Sequence, residues 1–451
     1  MLKSNLKYKV LHCNNEDYIY FCENGRIYKI NNSISSYDLE NNVFPLNYIP
    51  INCRETRLED ICKNVTIAEM VRELPGIVEG RSGIGHITLL VIQECNLRCT
   101  YCYGDYGSYG DSGYIDAETA IHIIDNIVLK STLRKFSISF FGGEPLLNFP
   151  VIKEVVHYCE KIERDSGIRF VFGITSNGTL INSEMERFFM EHKIQVKISL
   201  DGDKEQNDKN RMNAKGQGSY DEVIDKTKKL RENGVLSVRA TLMPGDMNLS
   251  KLYEHLFRLN FKGIYIAPAF NEFSGRDYDI LTKQSIEWLC QMENHIQNGE
   301  YEYVLNNLNL INDLCKIDRA CVRQAFCEAL GDGCAVDIRG NIYPCHRFVY
   351  YKEFGVNSIT EFEQRNRQMQ LKLASERSEA CKKCWAYNLC VCGCIYNNYA
   401  ESGRFTEVNK NYCRYVKAVY EKELNIYISL SEEERKLLCK RTVMNEAGNV
   451  N

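Results

Sequence analysis

The chain has 451 residues, 44% of them hydrophobic, which is more than one core usually holds and predicts two or three domains. A net charge of -4, with 56 basic and 60 acidic residues scattered along the chain, offers no broad basic field and argues against nucleic acid as a partner. The opening MLKSNLKYKVLH has no apolar secretory stretch and no run approaches the roughly 18 apolar residues of a membrane span, so the expectation is a cytoplasmic protein without a membrane partner.

Residues 1–85 begin with two β-rich runs in KYKVLHCNNEDYIYFCENGRIYKIN, joined around Glu23-Asn24-Gly25, a strong hairpin signal. A helical stretch, LEDICKNVTIAEMVREL, follows. A hairpin followed by helices resembles the winged-helix-like leader-recognition domain of enzymes that modify ribosomally made peptides, which implies leader binding by addition of a strand to its edge. A plain structural cap is the other reading. Cys13, Cys22, Cys53 and Cys62 have no ligand-like spacing.

From residue 86 to 285 short β-rich runs alternate with amphipathic helical stretches. Six strands are expected: HITLLVIQ, KFSISFF, RFVFGITS, QVKISL, LSVRATLM and GIYIAPAF, with helices such as AETAIHIIDNIVL, VIKEVVHYCEKIERD and SYDEVIDKTKKLREN between them. Right-handed crossovers make such a chain a parallel sheet under helices, with ligands at the carboxyl ends of the strands. The unusual residues fall there. After the first strand, Cys95, Cys99 and Cys102 form C-x-x-x-C-x-x-C, three thiols where an iron–sulfur cluster normally takes four. After the second comes Gly142-Gly143-Glu144-Pro145, glycines permitting close backbone approach and a carboxylate able to accept hydrogen bonds. The third ends in TSNG, with Ser176 and Asn177, and the fourth in SLDG, with Ser199 and Asp201, followed by Arg211.

Together these motifs resemble the radical S-adenosylmethionine (SAM) superfamily. The resemblance implies an open (βα)6 partial barrel and a [4Fe-4S] cluster at the triplet with one iron left for SAM. It also implies SAM contacts from Tyr101, Gly142, Gly143, Glu144, Ser176, Asn177, Ser199, Asp201 and Arg211, although Asn207 stands where a histidine is common. The cluster then sends an electron into SAM, and a 5′-deoxyadenosyl radical takes a hydrogen atom from substrate. An external one-electron reductant of flavodoxin or ferredoxin type is implied.

Bridging helices are expected over 286–320, including IEWLCQMENHIQ. The cysteine distribution then changes. Only Cys159 lies between Gly104 and Trp288, whereas eleven of the 21 cysteines fall between Cys315 and Cys413, a clustering that in a long reduced chain favours metal ligation over disulfides. Over 321–425, Cys327, Cys334 and Gly340-x4-Cys345 precede C-x-x-C-x5-C-x3-C at Cys381, Cys384, Cys390 and Cys394, with Cys413 beyond; 426–451 is expected as a C-terminal helix and tail. This block resembles the SPASM extension of radical SAM enzymes, which implies two auxiliary [4Fe-4S] clusters, three in all. The implied division is Cys327, Cys345 and Cys394, with Cys334 as a possible fourth, against Cys381, Cys384, Cys390 and Cys413. Cys321 and Cys392 are spare thiols whose plain reading is small core residues. A zinc ribbon of Cys381, Cys384, Cys390 and Cys394 is the chemical alternative.

The expected fold is therefore α/β, a partial barrel with an N-terminal winged-helix-like domain and a C-terminal cysteine-rich SPASM domain. The expected function is maturation of a precursor peptide with a leader and a cysteine-containing core, through sulfur-to-carbon thioether cross-links of the sactipeptide or ranthipeptide kind. The alternatives are carbon–carbon cross-linking or sulfatase-maturase-like oxidation, where His346 stands in place of an expected aspartate base, and a non-enzymatic electron-transfer protein. The last would not need GGEP or SLDG.

Overall fold

The computed structural model describes residues 7–30, 50–52, 77–79, 83–245, 247–323 and 326–440. The six expected strands form as β5 His86–Ile92, β6 Lys135–Gly142, β7 Arg169–Ser176, β8 Gln195–Ser199, β9 Leu236–Leu242 and β10 Ile264–Pro268. They lie in the order β10-β9-β8-β7-β6-β5, all parallel. Val196, Ile198, Val238, Ala240, Phe170 and Phe172 are buried beneath the helix layer, while alternate residues such as Lys197, Ser199, Arg239 and Thr241 face the other side. Helices α1 Ala117–Val128, α2 Phe149–Ser166, α3 Ser183–Glu191 and α4 Leu249–Arg258 supply the covering layer. The stretch expected as one helix over 219–233 divides into Tyr220–Lys226 and Lys228–Glu232, because the Thr227 hydroxyl bonds back to the Val223 carbonyl at 2.6 Å.

The sheet continues past these six strands. Gly333–Val336, β12, pairs parallel with β5, and Ile342–Tyr343, β13, pairs antiparallel with β12, so the cysteine-rich region completes an eight-stranded sheet. At the N-terminus, β1 Tyr8–Cys13, β2 Glu16–Phe21 and β3 Arg26–Ile30 form an antiparallel meander, with Gly25 at φ +65° in the expected turn. Its outer strand β3 is partly closed by Ile51, whose N–H donates to the Ile27 carbonyl at 2.9 Å. The meander leans on the C-terminal region: Lys9 pairs with Glu421 at 2.7 Å, and Tyr20 packs edge-on to Trp385. The helical stretch of residues 58–74 expected to complete a winged helix, with Cys53 and Cys62, lies outside the described residues.

Over 286–320 the bridging helices form as the end of α5 Gly275–Gln297, a short turn Tyr301–Leu305, and α6 Leu308–Arg319. They meet the long α7 Lys410–Ser429 and the final α8 Glu432–Cys439. No described helix is long and apolar enough to cross a membrane.

Candidate active site

The cysteine loop leaves β5 and is stitched across the barrel mouth by its backbone. Arg98 and Thr100 donate their N–H groups to the carbonyls of Met212 and Asn210, at 2.6 and 3.0 Å. The Cys95 sulfur accepts the Leu97 N–H at 3.4 Å and the Asn177 side-chain N–H at 3.9 Å. Cys95, Cys99 and Cys102 lie within electrostatic reach of one another, and Cys99 also feels Arg211 and Asp201. Burial pushes the Cys95 thiol up to about 12, so a metal that binds it must displace a proton.

The two glycines of GGEP also leave room for a neighbouring loop. A Cβ on Gly142 would sit 2.0 Å from the Ile92 carbonyl oxygen, and one on Gly143 2.0 Å from that of Glu94. They let the second loop cross the root of the cysteine loop, with the Gly143 and Glu144 N–H groups donating to those same two carbonyls. Glu144 is fully buried. It accepts from Ser176 Oγ at 2.8 Å, from the Asn177 N–H at 2.7 Å and from the Leu146 N–H at 3.1 Å. Burial raises its carboxyl to about 7 against the pull of those donors. Glu144 thereby ties the third loop to the second, and Asn177 ties the third to Cys95.

Asp201 is the hub of the fourth loop. Its carboxylate accepts Arg211 Nε at 2.9 Å, the Thr241 N–H at 2.8 Å and the Tyr101 hydroxyl, and the Arg211 guanidinium lies 5.5 Å over the Tyr101 ring. Asn207 is buried; its Oδ1 accepts the Asp201 N–H at 3.3 Å, and its amide donates to Asp208 and Ser219. Ser199 closes β8 on the open face of the sheet. All nine residues expected to contact SAM thus lie at the carboxyl ends of the first four strands or in the segments that follow them.

The C-terminal cysteines fall into two neighbourhoods. Cys327, Cys345 and Cys394 are mutual electrostatic neighbours. Cys381, Cys384, Cys390 and Cys413 are another such set, and the neighbouring Cys392 lowers the Cys381 thiol to about 6. Cys334 stands apart from the first set. Register pairs it with Ile87, and both face the helix-side core, whereas Ala335 faces the opposite cluster of Leu90, Tyr343 and Phe348 against which Cys345 and Cys394 pack. Cys321 lies in a strand, Cys321–Arg323, beside Ile77–Glu79.

Arg347 went unnoticed in the sequence. It donates to Asn397 at 2.7 Å and to the Cys394 sulfur at 3.9 Å, and it stacks over Tyr103 and Tyr396 at 4.9 and 4.0 Å. Tyr103 follows Cys102 directly, so this stack bridges the first triplet to Cys394. His346 packs on Phe141 at 4.6 Å, and burial, then Arg239 and Arg347, lower it to about 3. No signal local to GNIYPCHR marks this bridge.

The residues fit the groups the motifs imply. Three thiols share one loop, one sulfur already accepts N–H donors, and a carboxylate–tyrosine–arginine set stands beside them. Among the described residues no three His, Cys, Asp or Glu side chains close on a single metal ion.

Comparison with known proteins agrees. The radical SAM superfamily model matches residues 89–257. A cysteine-type anaerobic sulfatase-maturating enzyme of Clostridium novyi (strain NT) is 24% identical over 355 residues, 74% of this chain and 93% of that one. Among solved structures, anSMEcpe with bound AdoMet and Cp18Cys peptide superposes with a TM-score of 0.63 at 21% identity, over 77% of this chain and all of that one. SuiB of Streptococcus suis bound to the precursor peptide SuiA gives a TM-score of 0.50 at 16% identity, over 82% and 84% of the two chains. The enzyme carries a radical SAM domain at residues 89–257 and is homologous to the anaerobic sulfatase-maturating enzymes.

Proposed function

We propose that this enzyme forms thioether links from cysteine sulfur to carbon within a ribosomally made precursor peptide, using SAM and three [4Fe-4S] clusters. A cluster at Cys95, Cys99 and Cys102 with SAM beside it supplies reductive cleavage and hydrogen-atom abstraction. The chain's own part is placement. Asp201 fixes Tyr101 and Arg211 where a SAM carboxylate is to be met, and Glu144 fixes the third loop against Cys95.

The observation that carries the thioether reading is the three-thiol set of Cys327, Cys345 and Cys394, with Cys334 turned to the other face of β12. Three protein thiolates leave one iron for a substrate cysteine. The peptides bound in the related anSMEcpe and SuiB structures support a peptide substrate. The N-terminal meander is the proposed leader site, and a flavodoxin or ferredoxin the proposed electron donor. Sulfatase-maturase-like oxidation is the second reading, favoured by the Clostridium novyi relative.

The test combines anaerobically reconstituted enzyme, SAM and a reductant with a cysteine-rich peptide encoded beside the gene, followed by accurate mass and fragmentation. Loss of two hydrogens per link together with loss of an alkylatable thiol is expected. Loss of hydrogens with every thiol still alkylatable moves the assignment to carbon–carbon coupling or oxidation.

A further inference from the structure

Strand β9 carries an arginine where a parallel barrel strand is ordinarily apolar. Arg239 stands between Val238 and Ala240, both buried under the helix layer, and its own side chain is exposed on the open face of the sheet. Register sets it level with Ser199 on β8 and Tyr265 on β10, at or near the carboxyl ends of these strands. Its guanidinium lies 5.6 Å over the Tyr265 ring, which orients the N–H donors.

The charge has no counterpart. Arg239 makes no ion pair with any described residue. Asp201 reaches β9 two residues farther on, at the Thr241 N–H, but its carboxylate is also taken by Arg211 and the Tyr101 hydroxyl. A guanidinium cannot shed its proton. When substrates fill the barrel mouth and displace its water, the charge must meet an anion, or its desolvation opposes binding. The residues expected to contact SAM belong to the first four strands and the segments after them, whereas Arg239 is on the fifth, one strand farther from the cysteine loop. The anion is therefore to come from the other substrate.

We propose that Arg239 binds a carboxylate of the peptide substrate, an aspartate or glutamate side chain or the terminal carboxylate, and so sets which residue of the peptide stands over SAM. The inference rests on the reading that the substrate is a peptide. Two N–H groups of the planar fork meet the two carboxylate oxygens, a geometry that a lysine cannot reproduce.

The test compares wild type, R239K and R239Q as anaerobically reconstituted full-length enzymes, with SAM, a reductant and the cysteine-rich peptide encoded beside the gene. Each Asp or Glu of the peptide is replaced in turn by Asn or Gln, and one further peptide carries a C-terminal amide. In R239Q, kcat/KM for the unaltered peptide is expected to fall at least about tenfold, mainly through KM, with R239K between R239Q and wild type. The dissociation constant for SAM is expected to match wild type. One carboxylate-to-amide replacement should cost the wild-type enzyme a similar factor and cost R239Q nothing more, as a direct pair requires. Wild-type turnover by R239Q, or a loss that adds to that of every replacement, overturns the carboxylate role and leaves the peptide reading standing. Weakened SAM binding in R239Q assigns the residue to the carboxylate of SAM and overturns the proposal as well. Cleavage of SAM by the wild-type enzyme with no change of mass in the peptide overturns the peptide reading and the proposal with it.

Discussion

The barrel mouth and the cysteine-rich region both gather thiols, but they hold them by different means. At the barrel mouth side chains hold side chains: Asp201 collects Tyr101, Arg211 and the Thr241 N–H, and Glu144 collects Ser176, Asn177 and Leu146. In the cysteine-rich region backbone turns hold the thiols. Ser378 caps the Cys381 N–H at 3.2 Å, the Cys384 N–H returns to the Cys381 carbonyl at 3.1 Å, and the Gly393 N–H in the left-handed turn at 391–393 returns to the Cys390 carbonyl at 2.8 Å. A network of buried polar groups tolerates no missing member, whereas a turn tolerates many side chains provided its backbone can form. Substitutions at the barrel mouth should therefore be the more damaging.

The largest effect is expected from C95A/C99A/C102A. Reductive cleavage of SAM to 5′-deoxyadenosine should vanish, while about two thirds of the iron, that of the two proposed auxiliary clusters, stays bound. Loss of all iron would show that the two regions do not load separately. Next comes Gly143→Ala, whose new methyl would lie 2.0 Å from the Glu94 carbonyl oxygen. The two loops cannot cross without moving, and a cost above about 4 kcal/mol in a denaturant titration is expected. Gly403→Ala is the matched control in the other region. Its φ is +71° with nothing within 4 Å, so only backbone strain of roughly 1–2 kcal/mol remains.

Asp201→Asn should follow. Asp201 and Arg211 are 3% and 7% exposed, and removing one charge of a buried pair costs about 3–5 kcal/mol. The same variant releases Tyr101 and Arg211, so the dissociation constant for SAM, read by isothermal titration under anaerobic conditions, should rise at least tenfold. Unchanged SAM affinity with reduced stability would make Asp201 a structural residue only.

The sequence was most legible where local periodicity decides. The six barrel strands carry buried residues at every second position, and their observed bounds fall within two residues of those expected. GGEP, TSNG and SLDG were legible as motifs because they end successive strands after a cysteine triplet, in the order of the family they resemble. Their partnerships were not. Tyr101 meets Asp201 across a hundred residues, and the GGEP glycines answer to the carbonyls of Ile92 and Glu94, facts of loop crossing that no window of sequence contains. The strand Gly-Cys-Ala-Val at 333–336 is too short to show a period, so neither its place beside β5 nor the face taken by Cys334 could be read in advance. Helix 219–233 was read as continuous because its polarity pattern is unbroken, and the hydroxyl that divides it is a single atom.

Arg347 is where the two regions touch, and it gives the smallest of the expected effects. Its guanidinium donates to the Cys394 sulfur while its plane lies against Tyr103, the neighbour of Cys102. A cation and hydrogen-bond donor beside a ligand sulfur favours the reduced, more negative state of a cluster and so raises its potential. Arg347→Met keeps much of the stem packing on Tyr396 and removes both the donor and the charge. If the donated hydrogen bond is worth roughly 0.5–1.4 kcal/mol, the midpoint of the proposed cluster at Cys327, Cys345 and Cys394 should fall by about 20–60 mV. The midpoint at the first triplet should stay put, since Arg347 meets that loop only through a ring. Equal shifts at both would show that Arg347 acts through the field of its charge, and the two regions would then be electrostatically one site.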